Sequence, residues 1–389
     1  MRIVIAHDVF ASPSREENAE LTSLFLAIAR DPLNHALLTD PTYDPTGDNG
    51  LVDAWLVATG SNLDVFRDAL LRGLVAAAGP RAQPLGDTQH PRRWNLPGAL
   101  EIRVERRGAS DWNHRLLTIT DAEALTREPL HLVLENTRTE PAFIRALAGP
   151  TDGATFHDRT HEPAKIFMHG GGGGEAKIWL AALTVGPPDP AKWRRMLRAW
   201  VLFDQDAGDP DARTPSLSAV ALMEECEKVV ATYGPGLSWV CLRRRELESY
   251  VPDAGLLAHQ TTRLKAFVQQ VIAWRADPTQ AAWAWSLDLK KGLHGDRHAR
   301  WSHGLTDAEA SEIKRGLRPL QPHMLKLPFS GLSTADVEFL ARGLGDALGE
   351  ALRDTVPPAW ASDLPREYDR GPADQAPRPS LVQSLFDRM

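Results

Sequence analysis

The sequence predicts an α/β protein with a central parallel sheet flanked by helices, an α/β region before it and a mainly helical region after it. Three observations carry that expectation. Between about residues 130 and 252, short apolar runs alternate with helical patterns, the signature of βαβ units with right-handed crossovers. The predicted strands end in acids or glycines, where such sheets carry their active groups. No apolar run approaches the roughly 18 residues that a membrane span requires.

The chain has 389 residues, room for about two or three domains, set here at 1–128, 129–254 and 255–389. Arg2 to Ala6 opens as a strand, too short in its apolar core for a secretion signal. Helical spacing of Leu21, Leu24, Phe25 and Ile28 predicts a helix over 16–30. A turn-rich stretch over 40–49 follows, then a second helix over 63–78 that Gly79-Pro80 ends. A loose stretch over 81–97 precedes strands at 100–105 and 115–119. No motif here carries chemistry; a sensor, a dimerisation surface or an extension of the next sheet are all open.

In the middle, strands are predicted at 131–134, 165–168, 200–203 and 237–242. Helices are predicted at 141–147, 175–183 and 217–233, the first with Pro141 in its opening turn. Beyond 255 the pattern is helical over 262–274, 307–316 and 333–352, and the Pro/Asp/Arg-rich stretch 363–380 reads as a poorly ordered tail. Net charge is −7, so the chain is not a generally basic nucleic-acid coat. Arg194, Arg195 and Arg198, and the run Arg243 to Arg245, are either local phosphate contacts or solvated faces. Cys226 and Cys241 are too few for a disulfide framework or a Cys-rich zinc site, which suits a reducing cytoplasm.

The first of the four strands ends in Glu135, the second in the glycine run 170–174, the third in Asp204 and Asp206. The fourth runs into Arg243 to Arg245, Glu246 and Glu248. Carboxylates gathered at adjacent strand ends repel unless a cation lies among them, and Mg²⁺ or Mn²⁺ favours such oxygen ligands. Asp204 and Asp206 are two residues apart, and in an extended segment both would face one site. Each acid also has a plainer account. The Asp-x-Asp could be a turn, Glu248 could pair with the preceding arginines, and Glu140 could be an acid favoured by a helix N-terminus. Glu224, Glu225 and Glu227 read as a solvated helix face.

Leu132 to Leu147, with the sequence LVLENTRTEPAFIRAL, then a strand ending in glycines, then WVLFDQDA and CLRRRELESYVP, resemble the topoisomerase–primase (TOPRIM) domain of OLD-like and defence-associated nucleases. The likeness covers roughly a third of the chain. It implies a TOPRIM-like (Rossmann-like) fold with Glu135, Asp204 and Asp206 as the metal-binding core, and Glu248 close by. Family members often place a second acid four residues after the first Glu; Glu140 stands five on. The segment Trp285 to His294 resembles one that delivers a lysine, so Lys291, or Lys290, would stabilise charge on a phosphate; an exposed basic turn is the other account. The implied activity is Mg²⁺- or Mn²⁺-dependent hydrolysis of nucleic acid, DNA ahead of RNA, in a cytoplasmic anti-phage or anti-plasmid effector. Any ATPase or sensor would be a separate partner, since no P-loop is present, and a homodimer is open. The rival is a non-catalytic nucleic-acid-binding or regulatory protein on a degenerate TOPRIM fold.

Three accounts fit the glycine run: a phosphate cradle, a close pass by the acids, or an esterase oxyanion loop. The last lacks its Gly-x-Ser-x-Gly elbow. Histidines 294, 298 and 303 lack a zinc spacing. None of the four tyrosines sits in a recognisable topoisomerase context, and no primase zinc module is present.

Overall fold

Short β-branched and leucine-rich runs form two sheets whose parallel strands share one plan. β1 (Arg2–Ala6) is followed by β2 (Ala36–Asp40), β3 (Leu85–Gly86), β4 (Trp94–Leu96), β5 (Glu101–Val104) and β6 (Leu116–Leu117). β7 (Leu130–Leu134), β8 (Ile166–His169), β9 (Ala199–Phe203) and β10 (Ser238–Cys241) complete the set. The first sheet runs β2-β1-β5-β6, all parallel; the second runs β3-β4-β10-β9-β7-β8. In both, the parallel strands lie in the order second, first, third, fourth. The computed structural model describes residues 1–30, 35–78, 85–86, 94–206, 215–258, 265–295, 302–326, 329–345, 358–369 and 380–389.

In the first sheet, Ile3, Ile5, Leu37, Ile102, Val104 and Leu117 are buried. Helix Arg15–Arg30 packs against helices Leu63–Ala78 and Ile119–Arg127. Helix 15–30, strand 2–6 and helix 63–78 answer the sequence closely, while β2 and helices Leu51–Ala58 and Ile119–Arg127 were not foreseen. β3 and β4 leave this region and join the second sheet, β4 pairing antiparallel with β10 (Trp239 with Asn95). This realises the sheet-extension option, and Asn95 Nδ2 secures it by donating to Leu237 O at 2.7 Å.

The second sheet is buried on both faces, as a parallel sheet demands. Alternate side chains divide between two cores, because successive residues of a strand point to opposite sides. Val133, Val201, Phe203, Trp239 and Cys241 face helices Gly173–Thr184 and Leu217–Tyr233. Leu132, Leu134, Trp200, Leu202 and Val240 face helix Glu140–Thr160, which breaks at Gly149 before Pro150, and the C-terminal helices. Trp200 and Trp239 are fully buried, one on each face, each contributing on the order of 2–3 kcal/mol of apolar burial.

C-terminal helices Lys265–Ala276, Ala281–Ser286, Asp307–Lys314 and Thr334–Arg342 build the outer part of that second core. The tail is a correction. Helix Pro358–Asp369 covers 363–369 with Leu364 fully buried, and helix Leu381–Phe386 buries Leu381 and Leu385. Its Leu and Tyr residues supply an apolar stripe that the high Pro and charge content masked; residues 370–379 lie outside the described residues. No described helix is long and apolar enough to cross a membrane.

Candidate functional site

A parallel sheet that reverses its strand order at the first strand leaves a crevice beyond the carboxyl ends of its first and third strands. In the second sheet those are β7 and β9, paired so that Leu134 sits beside Leu202. The next residue of the one is Glu135, and Asp204 follows Phe203 in the other. The backbone N–H of Asp204 donates to Glu135 Oε2 at 2.9 Å, joining acids 69 residues apart.

Beneath this pair lie two buried acids. Glu140, the first residue of its helix and 2% exposed, accepts the Asn136 N–H on Oε2 at 3.0 Å. Glu248, 1% exposed, has no hydrogen-bond partner at Oε2, and Asp204 Oδ1 is likewise buried without one. Burial, then repulsion from Glu140, Glu135 and Glu248, holds the Asp204 carboxyl well above its usual range. Burial does the same to Glu140, with Glu135 and Glu248 adding repulsion against two backbone hydrogen bonds. Glu135 is pushed up to about 7, chiefly by burial, with Asp206 adding to it against the Asp204 N–H. Glu140 is thus the first residue of its helix and lies in the field of Glu135 and Glu248.

Asp206 has a different setting from Asp204. Its φ of 51° puts it in the left-handed region, so the segment is not extended there, and its charge still raises the Asp204 and Glu135 carboxyls. Its N–H donates to Arg245 O at 2.8 Å, and its exposed carboxyl lies in the field of Arg245, Asp288, Lys291 and Lys290.

Arg244 and Arg245 do not form a solvated face, which corrects that expectation for both. Arg244 is buried, donating to Ser249 O and to Glu367 Oε1 (2.6 and 2.8 Å) and lying over Tyr250 and Trp285. Arg245 is buried beside Asp288, 3.4 Å away. Tyr250 Oη accepts the N–H groups of Arg243 and Arg244. Of the other cluster, Arg198 is buried on Glu128 O, and Arg195 is exposed. Glu225 is buried and paired with Lys228 rather than solvated.

The resemblance left open which lysine enters, and the geometry separates the two. Lys290 Nζ lies 2.8 Å from Glu248 Oε1; Lys291 is exposed and gives its backbone N–H to Asp288. Burial works against the Lys290 charge, yet Glu248 and Glu246 outweigh it and raise its pKa. Glu246 is named among the strand-end acids without a role, and Asp288 is not singled out. Glu246 is pushed up to about 8 by burial and by its neighbours Glu248 and Asp288, and Oε1 accepts the Leu289 N–H. The alternation of Glu246 and Glu248 in the sequence was the available signal.

The glycine run passes close to the acids. Gly172, at φ +106°, donates its N–H to Glu135 O, and a Cβ on Gly173 would stand 2.7 Å from Glu135 Oε1. Of the three histidines, His303 is exposed; the side chain of His294 and all of His298 lie outside the described residues.

An all-oxygen, buried and under-satisfied donor set suits a hard divalent cation. The side chains are not yet converged on one point, since Glu135 and Glu140 each spend an oxygen on a backbone N–H. Among the described residues no three acids, histidines or cysteines stand in a ligating arrangement. Comparison with family models, curated proteins and solved structures gave no match.

Proposed function

We propose that the crevice at Glu135 and Asp204 is a divalent-metal site of TOPRIM type and that the chain hydrolyses phosphodiester bonds of nucleic acid. The observation that supports this most is the Asp204 N–H to Glu135 contact at the strand-order reversal, with unsatisfied acid oxygens around it. Glu135 and Asp204 hold Mg²⁺ or Mn²⁺ within the field of Asp206, and Glu140 and Glu248 support them from below. When bound, the ion supplies positive charge to polarise a phosphate oxygen and to acidify water. Lys290 contributes fixed positive charge to the crevice wall, where a phosphate's developing charge would be met.

The reading is tested with purified protein, plasmid and single-stranded substrates, and Mg²⁺ or Mn²⁺. Cleavage is expected, and Glu135→Gln or Asp204→Asn should reduce it by on the order of 10²-fold or more. Undiminished cleavage by both variants contradicts the assignment. One observation favours the rival, a non-catalytic nucleic-acid-binding or regulatory protein: no ligating triad is preformed among the described residues. Nucleic-acid binding without metal uptake or cleavage would establish that rival.

A further inference from the structure

The acidic crevice has two ends that differ in how their charge is answered. At one end, Glu135 accepts the Asp204 N–H and Asp204 Oδ1 is buried without a hydrogen-bond partner. At the other, Glu248 faces an ammonium, Lys290 Nζ at 2.8 Å, with Glu246 and Asp288 nearby and Arg245 against Asp288.

Lys290 is also built into place. Its carbonyl accepts the Gly345 N–H at 2.9 Å, and the neighbouring Leu289 carbonyl accepts the Leu344 N–H at 2.7 Å. Leu289 N–H donates to Glu246 Oε1, and Lys291 N–H to Asp288 Oδ1. The chain passes so tightly there that a Cβ on Gly343 would stand 2.4 Å from Lys290 O. A turn fixed on both sides delivers this ammonium to a carboxylate that is 1% exposed, where an unanswered charge would cost several kcal/mol.

We propose that Lys290 is a resident second cation: its ammonium takes the place at Glu248 that a second divalent ion would otherwise fill, so the chain binds one such ion, at Glu135 and Asp204. This rests on the metal reading above. It differs from a two-ion site in what the substrate meets, a fixed ammonium with three N–H donors rather than an exchangeable ion.

The test is Mn²⁺ titration of the full chain, read by calorimetry and by the loss of the free-ion paramagnetic signal. The wild type should bind one Mn²⁺, Lys290→Met two, and Lys290→Arg one. Glu248→Gln should still bind one, which keeps the proposal falsifiable if Lys290→Met does not fold. Two ions in the wild type, or one in a folded Lys290→Met, overturns the resident-cation proposal and leaves the metal reading standing. No Mn²⁺ uptake by the wild type overturns both.

Discussion

At the scale of single residues, the site depends on backbone groups as much as on acids. Gly173 is the sharpest case. Its added Cβ would meet only the mobile end of Glu135 at 2.7 Å, with Leu222 next at 3.5 Å. Gly173→Ala should therefore leave stability within about 1 kcal/mol, yet displace Glu135 and weaken Mn²⁺ binding roughly tenfold or more. Thermal melts and metal titration on one sample check both halves. Titration gives a second prediction. Folding raises Glu135 from an ordinary 4.5 to about 7. Between those values the native chain binds more protons than the unfolded one, so this contribution is full below about 4.5 and is lost as pH rises through 7. In EDTA, denaturant midpoints should fall between pH 5 and 8, and Glu135→Gln should flatten that slope. Glu135 and Asp204 were legible because strand ends and an Asp-x-Asp locate them. The left-handed backbone of Asp206 was not, since a single such φ leaves no mark on residue type. Nor was the choice between Lys290 and Lys291, because one step along a tight turn reverses the side chain's direction.

At the scale of elements, the loop after β10 is clamped rather than free. Arg244 within it reaches Glu367 of helix Pro358–Asp369, and both residues are buried. Glu367→Ala should strip a partner from a buried guanidinium and cost about 3 kcal/mol, seen as a lower denaturant midpoint. Glu246 and Glu248 hang on the same loop, so the variant should also lose activity; a melt unchanged from wild type would contradict the clamp. The sequence read the four parallel strands of the second sheet to within about a residue, because buried parallel strands are continuous apolar runs. It missed β2, a five-residue run ending at a proline, and β4, whose partner Trp239 lies far along the chain. It also read 363–369 as part of a loose tail, because composition outweighed the short stripe that buries Leu364 and Tyr368.

At the scale of the whole molecule, strand order turns distant acids into neighbours. The parallel strands of both sheets share the order second, first, third, fourth, and in the second sheet that reversal brings Glu135 to the Asp204 N–H. The alternation of strands and helices was visible in the sequence; the pairing order is a non-local property that periodicity cannot reveal. Crowded, partly protonated carboxylates make the native state a better ligand for a cation than the unfolded chain. Mg²⁺ or Mn²⁺ at a hundred times its dissociation constant should thus add about 2.7 kcal/mol, raising the melting temperature, and EDTA should reverse it. The gain should grow from pH 6 to 8 as Glu135 loses its proton. The most direct measurement is anomalous diffraction from a crystal soaked in MnCl₂. The account predicts an anomalous peak between the Glu135 and Asp204 carboxylates that disappears in Asp204→Asn; a peak elsewhere, or none under saturating Mn²⁺, contradicts it.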